Sequence, residues 1–361
     1  MAMKKRLSKK QMFFNKIKFT KDDDLYVGID VHKESYGVAL WLNGTPAIDF
    51  LMPADNAKLL KLLEKVRIAV KRVVYEAGPT GYTLARTLQK ANIPTAVVAP
   101  SKTPRQSARD SKTDQLDAKT LARYAAKGLL RSIAIPTRQQ EADRQLTRTR
   151  DQLVSKQSRL KLQIKSFLLQ HGIEQPPALR IWSAKALKQL SALRLSKQLR
   201  LCLDLLAQEL QFLQNQLTTI QERLKENFDK GRHAREVALL QTHPGVGPVI
   251  ARQYTAEIFN PKRFKHKTEV AKYVGLAPTI IQSGQSRRDG PVTKTGRPQL
   301  RSNLIQGAWI WIRRDPQARK TFNRIFHNTA NKNKAITAMA RRLAVHLWKM
   351  LCDNKPFTNA A

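Results

Sequence analysis

The chain has 361 residues and a mass of 41.1 kDa, enough for two domains with separate hydrophobic cores. It carries 66 Lys and Arg against 27 Asp and Glu, a formal net charge of +39, and 42% of its residues are hydrophobic. This composition excludes global disorder, argues against an ordinary enzyme of small metabolites, and predicts nucleic acid as a polyanionic partner.

Membrane and secretory signals are absent from the sequence. No apolar run reaches the ~18 residues that span a bilayer, and Lys and Arg interrupt any signal-peptide core. Cys202 and Cys352 are too few for a disulfide scaffold or a zinc site, so we expect both to be buried as small apolar residues. We therefore expect a cytoplasmic protein that makes no membrane contact.

Basic residues dominate the first 24 positions, where eight Lys and Arg accompany three Asp without helical or strand periodicity. We predict a basic N-terminal arm over residues 1–24. Such an arm contacts phosphate without specificity, or it only keeps the terminus soluble.

Strands and helices alternate in a predicted first domain, residues 25–138. Apolar runs predict strands at 25–31, 35–42, 47–50, 70–75 and 95–98, and helical spacing predicts helices at 56–66, 82–91 and 114–127. The Asn43-Gly44 pair is a hairpin-turn signal. Strands that pair antiparallel first and then alternate with helices indicate an α/β domain with a mixed sheet.

Four carboxylates fall where such a sheet would expose them. Asp30 lies inside an apolar strand, where an acid is costly unless it is paired or ligating, and Glu76 follows another strand. Asp114 and Asp117 lie three residues apart at a helix start, on one face. Carboxylate oxygens suit Mg²⁺ or Mn²⁺, which support attack on a phosphodiester. Alternatively, Asp114 and Asp117 only favour the helix N-terminus and Glu76 is a surface turn residue.

Residues 139–230 form a predicted helical linker, rich in Leu, Gln and basic residues and almost without Gly. Gly172 and the Pro176-Pro177 pair divide it into two helical stretches, the second over about 183–228. Its leucine spacing is compatible with a helical hairpin or coiled coil, and equally with an ordinary long helix packed within the monomer.

The last region, residues 231–361, holds 24 basic and 6 acidic residues and is predicted to be mostly α-helical. It begins with the turn Pro244-Gly-Val-Gly-Pro248 and a helix over 249–258. The backbone N–H groups of Gly245 and Gly247 could grip a DNA phosphate there, or these glycines only allow tight packing. Loop residues dominate from there to Pro298, and helices follow.

A basic, glycine-rich loop lies within this region, with the sequence Gln282-Ser-Gly-Gln-Ser-Arg-Arg-Asp-Gly290. Its glycines permit close approach of a phosphate, which basic side chains would neutralise. These side chains are Arg287, Arg288, Lys294, Arg297 and Arg301. A serine of this loop either donates hydrogen bonds to the phosphate or attacks it, and the loop holds no His to act as a base.

Three stretches of the first domain carry a family resemblance. They are Tyr26-Val-Gly-Ile-Asp-Val-His32, Val74-Tyr-Glu-Ala-Gly78 and Lys112-Thr-Asp-Gln-Leu-Asp-Ala118. In this order they resemble the motifs of the DEDD, RuvC-like transposases, which are recombinases of the bacterial insertion-sequence family numbered one hundred and ten and relatives of the Piv invertases. The similarity resumes in the last region and covers most of the chain, apart from the arm, much of the helical middle and the extreme C-terminus.

The resemblance implies a ribonuclease-H-like, RuvC-like fold for the first domain. It also implies that Asp30, Glu76, Asp114 and Asp117 bind Mg²⁺ or Mn²⁺. The segment around Ser283 is similar to the family's C-terminal transposase domain, whose serine nucleophile becomes covalently joined to DNA. Many relatives have two adjacent serines followed by two glycines, whereas a single Ser-Gly stands here between Gln282 and Gln285, so Ser286 is the reserve candidate.

The family further implies a homodimer or homotetramer, a bacterial nucleoid-associated location, and a structured non-coding guide RNA that pairs with donor and target DNA. We therefore expect an RNA-guided DNA recombinase of an insertion sequence. Two alternatives stay open: a metal-dependent, RuvC-like nuclease such as a junction resolvase that uses water, and a non-catalytic nucleic-acid-binding protein that uses charge alone.

Overall fold

The computed structural model describes residues 9–103, 114–283 and 286–358. The chain divides into two compact units, Met1–Ile135 and Pro136–Ala361. This division falls close to the predicted border after residue 138, and the borders after 24 and 230 stay predictions. Within the described ranges, no helix is both long and apolar enough to cross a membrane.

The first unit is built on a five-stranded mixed sheet in the order β3-β2-β1-β4-β5. Its strands are β1 (Leu25–Val31), β2 (Ser35–Leu42), β3 (Thr45–Pro53), β4 (Val70–Glu76) and β5 (Thr95–Val98). Its helices are α1 (Lys9–Lys16), α2 (Asn56–Glu64), α3 (Thr83–Lys90) and α4 (Asp114–Ala126). Strand β1 pairs antiparallel with β2 and parallel with β4, which confirms the predicted mixed α/β sheet.

The sheet has two differently covered faces, because successive side chains of a strand point in opposite directions. Ile29 and Tyr75 belong to the larger apolar core, which also contains Leu59 of α2 and Leu88 of α3. On the other face, Val74 packs with residues of α4. Among the described elements, α4 therefore covers this second side of the sheet, which also carries the candidate acids.

Two local features of the first unit bear on the predictions. Asn43 and Gly44 both have positive φ, 47° and 83°, as the turn of a β2–β3 hairpin requires. The expectation of an arm without regular structure is wrong for part of residues 9–24, because Lys9–Lys16 is helical. Phe13, Phe14 and Phe19 pack against the first unit's core and supply the reason for this order.

The second unit is mostly helical, as predicted. Its helices are α5 (Arg138–Gln170), α6 (Ala184–Ser191), α7 (Lys197–Leu224), α8 (Ala234–Gln241), α9 (Pro248–Ile258), α10 (Lys267–Tyr273), α11 (Pro298–Arg314), α12 (Pro316–Thr329) and α13 (Lys332–Asp353). A two-stranded antiparallel hairpin interrupts them, formed by β6 (Pro278–Ser283) and β7 (Ser286–Val292). The sequence predicts only loop there, so this hairpin and α10 are both unpredicted elements.

Helices α5 and α7 share a core that includes Leu160, Ile164, Leu210 and Leu217. The Thr137 hydroxyl accepts a hydrogen bond from the backbone N–H of Gln140, and Oε1 of Gln140 accepts one from the backbone N–H of Thr137, so a capping box begins α5. A break at 192–196 separates α6 from α7, where one continuous stretch is predicted. The two long helices thus pack within the chain, and a coiled coil stays a prediction.

Both cysteines depart from the expectation of burial. Cys202, on α7, is exposed, and Cys352, near the end of α13, is only partly buried. Cys202 precedes Leu203, which is buried in the core between α5 and α7, so its own side chain points away from that core. Its thiol therefore faces solvent.

Candidate functional site

Asp30 and Glu76 lie near the carboxyl ends of the neighbouring parallel strands β1 and β4. The register pairs Gly28 with Val74 and Ile29 with Tyr75, so Asp30 and Glu76 follow side by side. Ile29 and Tyr75 both point into the larger core. Because side chains alternate, Asp30 and Glu76 project from the face that α4 covers.

Each of these carboxylates has a neighbour at hydrogen-bond distance. The Nε2 atom of His32 lies 2.9 Å from Oδ2 of Asp30. The hydroxyl of Thr103 donates to Oε1 of Glu76 over 2.6 Å. Thr103 was not singled out by the sequence, because no local pattern connects it with Glu76. These contacts orient both carboxylates at the edge of the sheet.

Gly28 lets α4 approach this edge. A Cβ atom at position 28 would overlap the carbonyl oxygen of Ala118 and the backbone nitrogen of Ala122. Further along α4, Ala125 packs in the cluster that Tyr26 also contacts. Since α4 moves from Gly28 toward Tyr26 as its numbering rises, its N-terminus extends toward Asp30.

Asp114 and Asp117 lie at this N-terminus. Helical spacing puts both on one stripe with Leu121, which packs against Val74 of β4 and Val98 of β5. Asp117 is exposed. The stripe runs on the β4 side of α4, and Glu76 ends β4. The N-terminus of α4, with Asp114 and Asp117, is therefore directed toward the sheet edge that carries Asp30 and Glu76.

The donor chemistry of this sheet edge fits a divalent cation. Carboxylate oxygens are the ligands that Mg²⁺ and Mn²⁺ prefer. The side chain of Asp114 lies outside the described part of the structure. Among the side chains that are described, no three His, Cys, Asp or Glu converge as a metal group. Asp30, Glu76 and Asp117 are therefore described but not gathered around one point, and the four-carboxylate metal site stays a prediction.

The predicted serine lies at the tip of the β6–β7 hairpin. Ser283 ends β6 and pairs in register with Ser286, the first residue of β7. The side chains of Ser283, Ser286, Arg287 and Arg288 lie outside the described part of the structure. The two serine candidates are therefore cross-strand neighbours on the backbone, which sequence analysis does not predict.

The base of this hairpin is fixed by close backbone approach. Gly275 and Gly296 have positive φ, 71° and 76°, and a Cβ at Gly296 would overlap the carbonyl oxygen of Tyr273. The hydroxyl of Thr295 donates to the carbonyl of Lys272 over 2.8 Å. The guanidinium of Arg301 donates to the carbonyl of Thr295 over 3.3 Å. Arg301 thus supports the hairpin base, and the neighbouring Lys294 is exposed.

Arg297 joins a buried ionic cluster. Its Nη2 lies 3.3 Å from Oδ2 of Asp151, and its Nε lies 3.7 Å from Oε1 of Glu257. Arg148 contacts both carboxylate oxygens of Glu257 at 3.0 Å. Burial raises the pKa of Asp151, and Arg297 opposes that rise. Arg297 therefore links the segment after β7 to α5 and α9, and phosphate contact by Arg297 stays a prediction.

The turn between α8 and α9 contains two glycines with different surroundings. A Cβ at Gly245 would lie 2.6 Å from the carbonyl oxygen of Gly307 and 2.8 Å from Cβ of Trp311. Gly247 is exposed at the N-cap of α9, with no atom within 4 Å of an added Cβ. Packing against α11 therefore accounts for Gly245, whereas Gly247 stays accessible for the predicted phosphate contact.

We expect Gly245→Ala to lower the free energy of unfolding by about 1–3 kcal/mol, because the new methyl group overpacks the turn against α11. Urea denaturation of the purified protein measures this change. Gly247→Ala is the matched control and stays within about 0.5 kcal/mol of the wild type. Equal effects of the two substitutions would contradict this assignment of roles.

His243 begins the same turn and is fully buried. Its Nδ1 accepts a hydrogen bond from the backbone N–H of Gly245 over 3.2 Å. Its ring lies 4.8 Å from Trp311 and 4.2 Å from Phe357, centre to centre. Burial lowers its pKa to about 3, with a further lowering from His346 and an opposing rise from Asp315.

The free energy of unfolding should therefore fall as the pH drops from about 6.5 toward 3. In this pH window the unfolded chain binds a proton at His243 and the folded chain does not. The free energy of unfolding therefore falls by up to about 1.4 kcal/mol per pH unit. Urea denaturation at several pH values measures the slope. His243→Asn should reduce it, whereas His327→Gln, at an exposed position, should leave it unchanged.

Comparisons with known proteins show which family of proteins this chain is similar to. A family model described as "Transposase IS116/IS110/IS902 family" matches residues 237–323, and a transposase model of the DEDD type matches residues 27–173. The chain is 31% identical over 322 residues to a putative transposase, y4rJ, of Sinorhizobium fredii, with 81% of each chain covered. It is 27% identical to the transposase for insertion sequence element IS1533 of Leptospira borgpetersenii, covering 79% of this chain and 84% of the relative. It is 23% identical to the transposase for insertion sequence element IS1111A of Coxiella burnetii, with 95% and 94% covered.

Proposed function

Because the chain belongs to the IS116/IS110/IS902 family of insertion-sequence transposases and is therefore a DNA transposase, we propose that it cuts and exchanges strands with an acidic quartet and a serine. The observation that carries this proposal is the corner where Asp30 and Glu76 end adjacent strands and α4 begins. A protein that binds nucleic acid by charge alone has no need of two neighbouring carboxylates at a sheet edge, because they would repel phosphate.

We infer a ribonuclease-H-like, RuvC-like fold for the first unit, and the strand order β3-β2-β1-β4-β5 supports it. Asp30, Glu76, Asp114 and Asp117 would hold Mg²⁺ or Mn²⁺. A bound divalent cation supplies positive charge beside the scissile phosphate. His32 and Thr103 then act as positioning residues, since they hold the carboxylates of Asp30 and Glu76.

Ser283 is the proposed nucleophile, and Ser286 is the alternative. The Oγ atom of Ser283 forms a bond to phosphorus while the bond from phosphorus to one sugar oxygen breaks. The proton of the serine hydroxyl is transferred to the oxygen of the released sugar. Attack by the hydroxyl of a second strand reverses this step and completes the exchange. The position of Ser283 at a hairpin tip supports the assignment, because a tip can reach into a DNA groove.

Basic groups of the second unit would hold DNA close to the serine. Arg287, Arg288 and Lys294 flank the hairpin tip or follow β7, and the exposed Gly247 lies at the start of α9. We further propose a structured guide RNA and assembly into a homodimer or homotetramer. The net charge of +39 supports the RNA, because one duplex contact neutralises only about six to ten phosphates.

A covalent-adduct assay tests the serine. Full-length protein with its co-purifying RNA is incubated with labelled DNA and Mg²⁺ and then denatured. We expect wild type and Ser286→Ala to carry label on the protein, and Ser283→Ala to carry none and to lose cleavage. Normal cutting by Ser283→Ala, with no adduct from wild type, would instead establish a nuclease that uses water.

A further inference from the structure

A cavity of about 320 Å³ lies beside α4 on the side away from Leu121. Its lining includes Trp41 of β2, Pro46 and Asp49 of β3, and Lys119 and Arg123 of α4. Ligand pockets begin at about 300 Å³, so the volume is sufficient for a nucleobase with its sugar. None of these residues belongs to the acidic quartet or to the serine hairpin.

The hairpin of β2 and β3 gives this cavity its apolar wall. Leu40 pairs with Ile48 and Trp41 pairs with Pro46, so Ala47 is an extra residue in β3. This irregularity brings Pro46 opposite the Trp41 indole. Trp41 is only partly buried and packs against the small cluster formed by Ala39, Ala118 and Ala122. One side of a flat aromatic ring is thus backed by protein, while the residue keeps an accessible surface.

The charged groups of the cavity are one acid and two bases, and the hydroxyl-bearing Thr120 also lines it. Nζ of Lys119 lies 2.9 Å from Oδ1 of Asp49, and both side chains are partly exposed. Arg123 follows Lys119 by one helical turn and therefore lies on the same stripe of α4. A carboxylate accepts hydrogen bonds from a base amino group, as from N4 of cytosine, and the two cations suit the phosphates on either side.

An aromatic wall, one acceptor and two cations form the combination that recognises an unpaired nucleotide. Bases stack on aromatic side chains, and this stacking contributes to the affinity of single strands. A duplex offers no free base face to Trp41. A membrane lipid or an acidic peptide would use the cations but leave the indole and Asp49 without a function.

The cavity shares α4 with the candidate acids. Lys119 and Arg123 follow Asp117 by about 3 and 9 Å along the helix axis. Lys119 contacts β3, whereas the stripe of Asp117 and Leu121 packs toward β4 and β5. A strand whose phosphate lies at the acids can therefore continue across α4 and place a nearby nucleotide in the cavity.

We propose that this cavity holds one unpaired nucleotide of the DNA strand being cut, with Trp41 stacked on its base and Asp49 accepting from its amino group. The inference rests on the proposed function, because it takes the strand at the acidic corner as the occupant. DNA is the occupant, since the cavity adjoins the residues assigned to DNA cleavage. The cavity thus selects unpaired bases that carry an amino group.

Binding of single-stranded 12-mers to the full-length protein tests this proposal. Fluorescence anisotropy is recorded with dC12, dT12 and the RNA rC12, at a salt concentration that suppresses binding by phosphate alone. We expect Trp41→Ala to weaken dC12 binding about 5- to 100-fold and Trp41→Phe to retain most of the affinity. Wild type should prefer dC12 over dT12 by about 5-fold. Asp49→Asn should remove that preference.

Asp24→Asn is the matched control, because Asp24 makes a comparable exposed ion pair with Lys71, at 3.3 Å, in the same unit. It should bind like wild type. Wild-type affinity of both Trp41→Ala and Asp49→Asn would overturn the proposal, as would losses confined to rC12. If Trp41→Ala does not fold, the affinities of Trp41→Phe and Asp49→Asn for dC12 and dT12 still test the proposal. The adduct assay distinguishes failure of this proposal from failure of the proposed function. If wild type forms the covalent adduct but the variants bind DNA like wild type, only the nucleotide-binding role of the cavity is refuted.

Discussion

Asp30→Asn should abolish DNA cleavage and strand exchange while the protein still binds DNA. The substitution keeps the shape of the side chain and its place at the end of β1 but removes the negative charge from the candidate metal site. Loss of an outer-shell partner of a metal already costs about 10- to 100-fold, so loss of a direct ligand should exceed 100-fold. Release of labelled product in Mg²⁺ measures activity, and a gel-shift titration measures binding.

The control for this prediction is Asp24→Asn, which removes an exposed acid just before β1 and should keep full activity. A second check uses Mn²⁺ titration, because a weakened ligand set should need more cation than wild type. Unchanged cleavage by Asp30→Asn would refute the acidic quartet. Loss of DNA binding together with cleavage would point to a structural role for Asp30.

Gly28→Ala should lower both the stability of the first unit and the rate of DNA cleavage, although Gly28 itself has no side chain that could contact DNA or metal. The new Cβ would overlap backbone atoms of Ala118 and Ala122, so α4 has to move away from β1. Overpacking of this kind costs about 1–3 kcal/mol, and backbone neighbours cannot rotate aside. Because α4 begins with Asp114 and carries Asp117, we expect a loss of cleavage larger than the loss of stability explains.

Hydrogen exchange of peptides from β1 and α4 measures the stability of the first unit, and the cleavage assay measures activity. Gly78→Ala is the matched control, because no atom lies within 4 Å of a Cβ at that position. It should preserve exchange protection. Full activity of Gly28→Ala at wild-type protection would show that α4 does not position the acids.

Around Asp30 and Glu76, local sequence patterns predict the strands and one conspicuous acid but not every contact of the carboxylates. Short apolar runs predict β1, β2, β4 and β5 within about one residue, because each of these strands buries one or both faces. Asp30 is conspicuous in such a strand, since an acid among buried neighbours needs a partner. The sequence does not single out Thr103, because its contact with Glu76 depends on how a distant loop returns to the sheet edge.

The serine hairpin shows the opposite case. Residues 278–292 are rich in Gly, Pro and basic residues, so their composition predicts loop, yet they pair as β6 and β7. Their order depends on Gly275 and Gly296, which let the two ends of the hairpin meet closely. Gly296 lies more than 20 residues from Tyr273, and no short window of sequence records that contact.

The sequence by itself determined the strongly basic character and the order of strands and helices from β1 to α4, and it singled out the candidate carboxylates. These follow from composition and from periodicities that a strand or a helix imposes on its own residues. The tertiary structure decided which residues meet. It decided that Gly245 is packed whereas Gly247 is accessible, and that Arg297 forms ion pairs with buried acids. It also decided that a cavity lies beside Trp41. Such facts depend on contacts between distant segments, whose geometry emerges only when the elements pack.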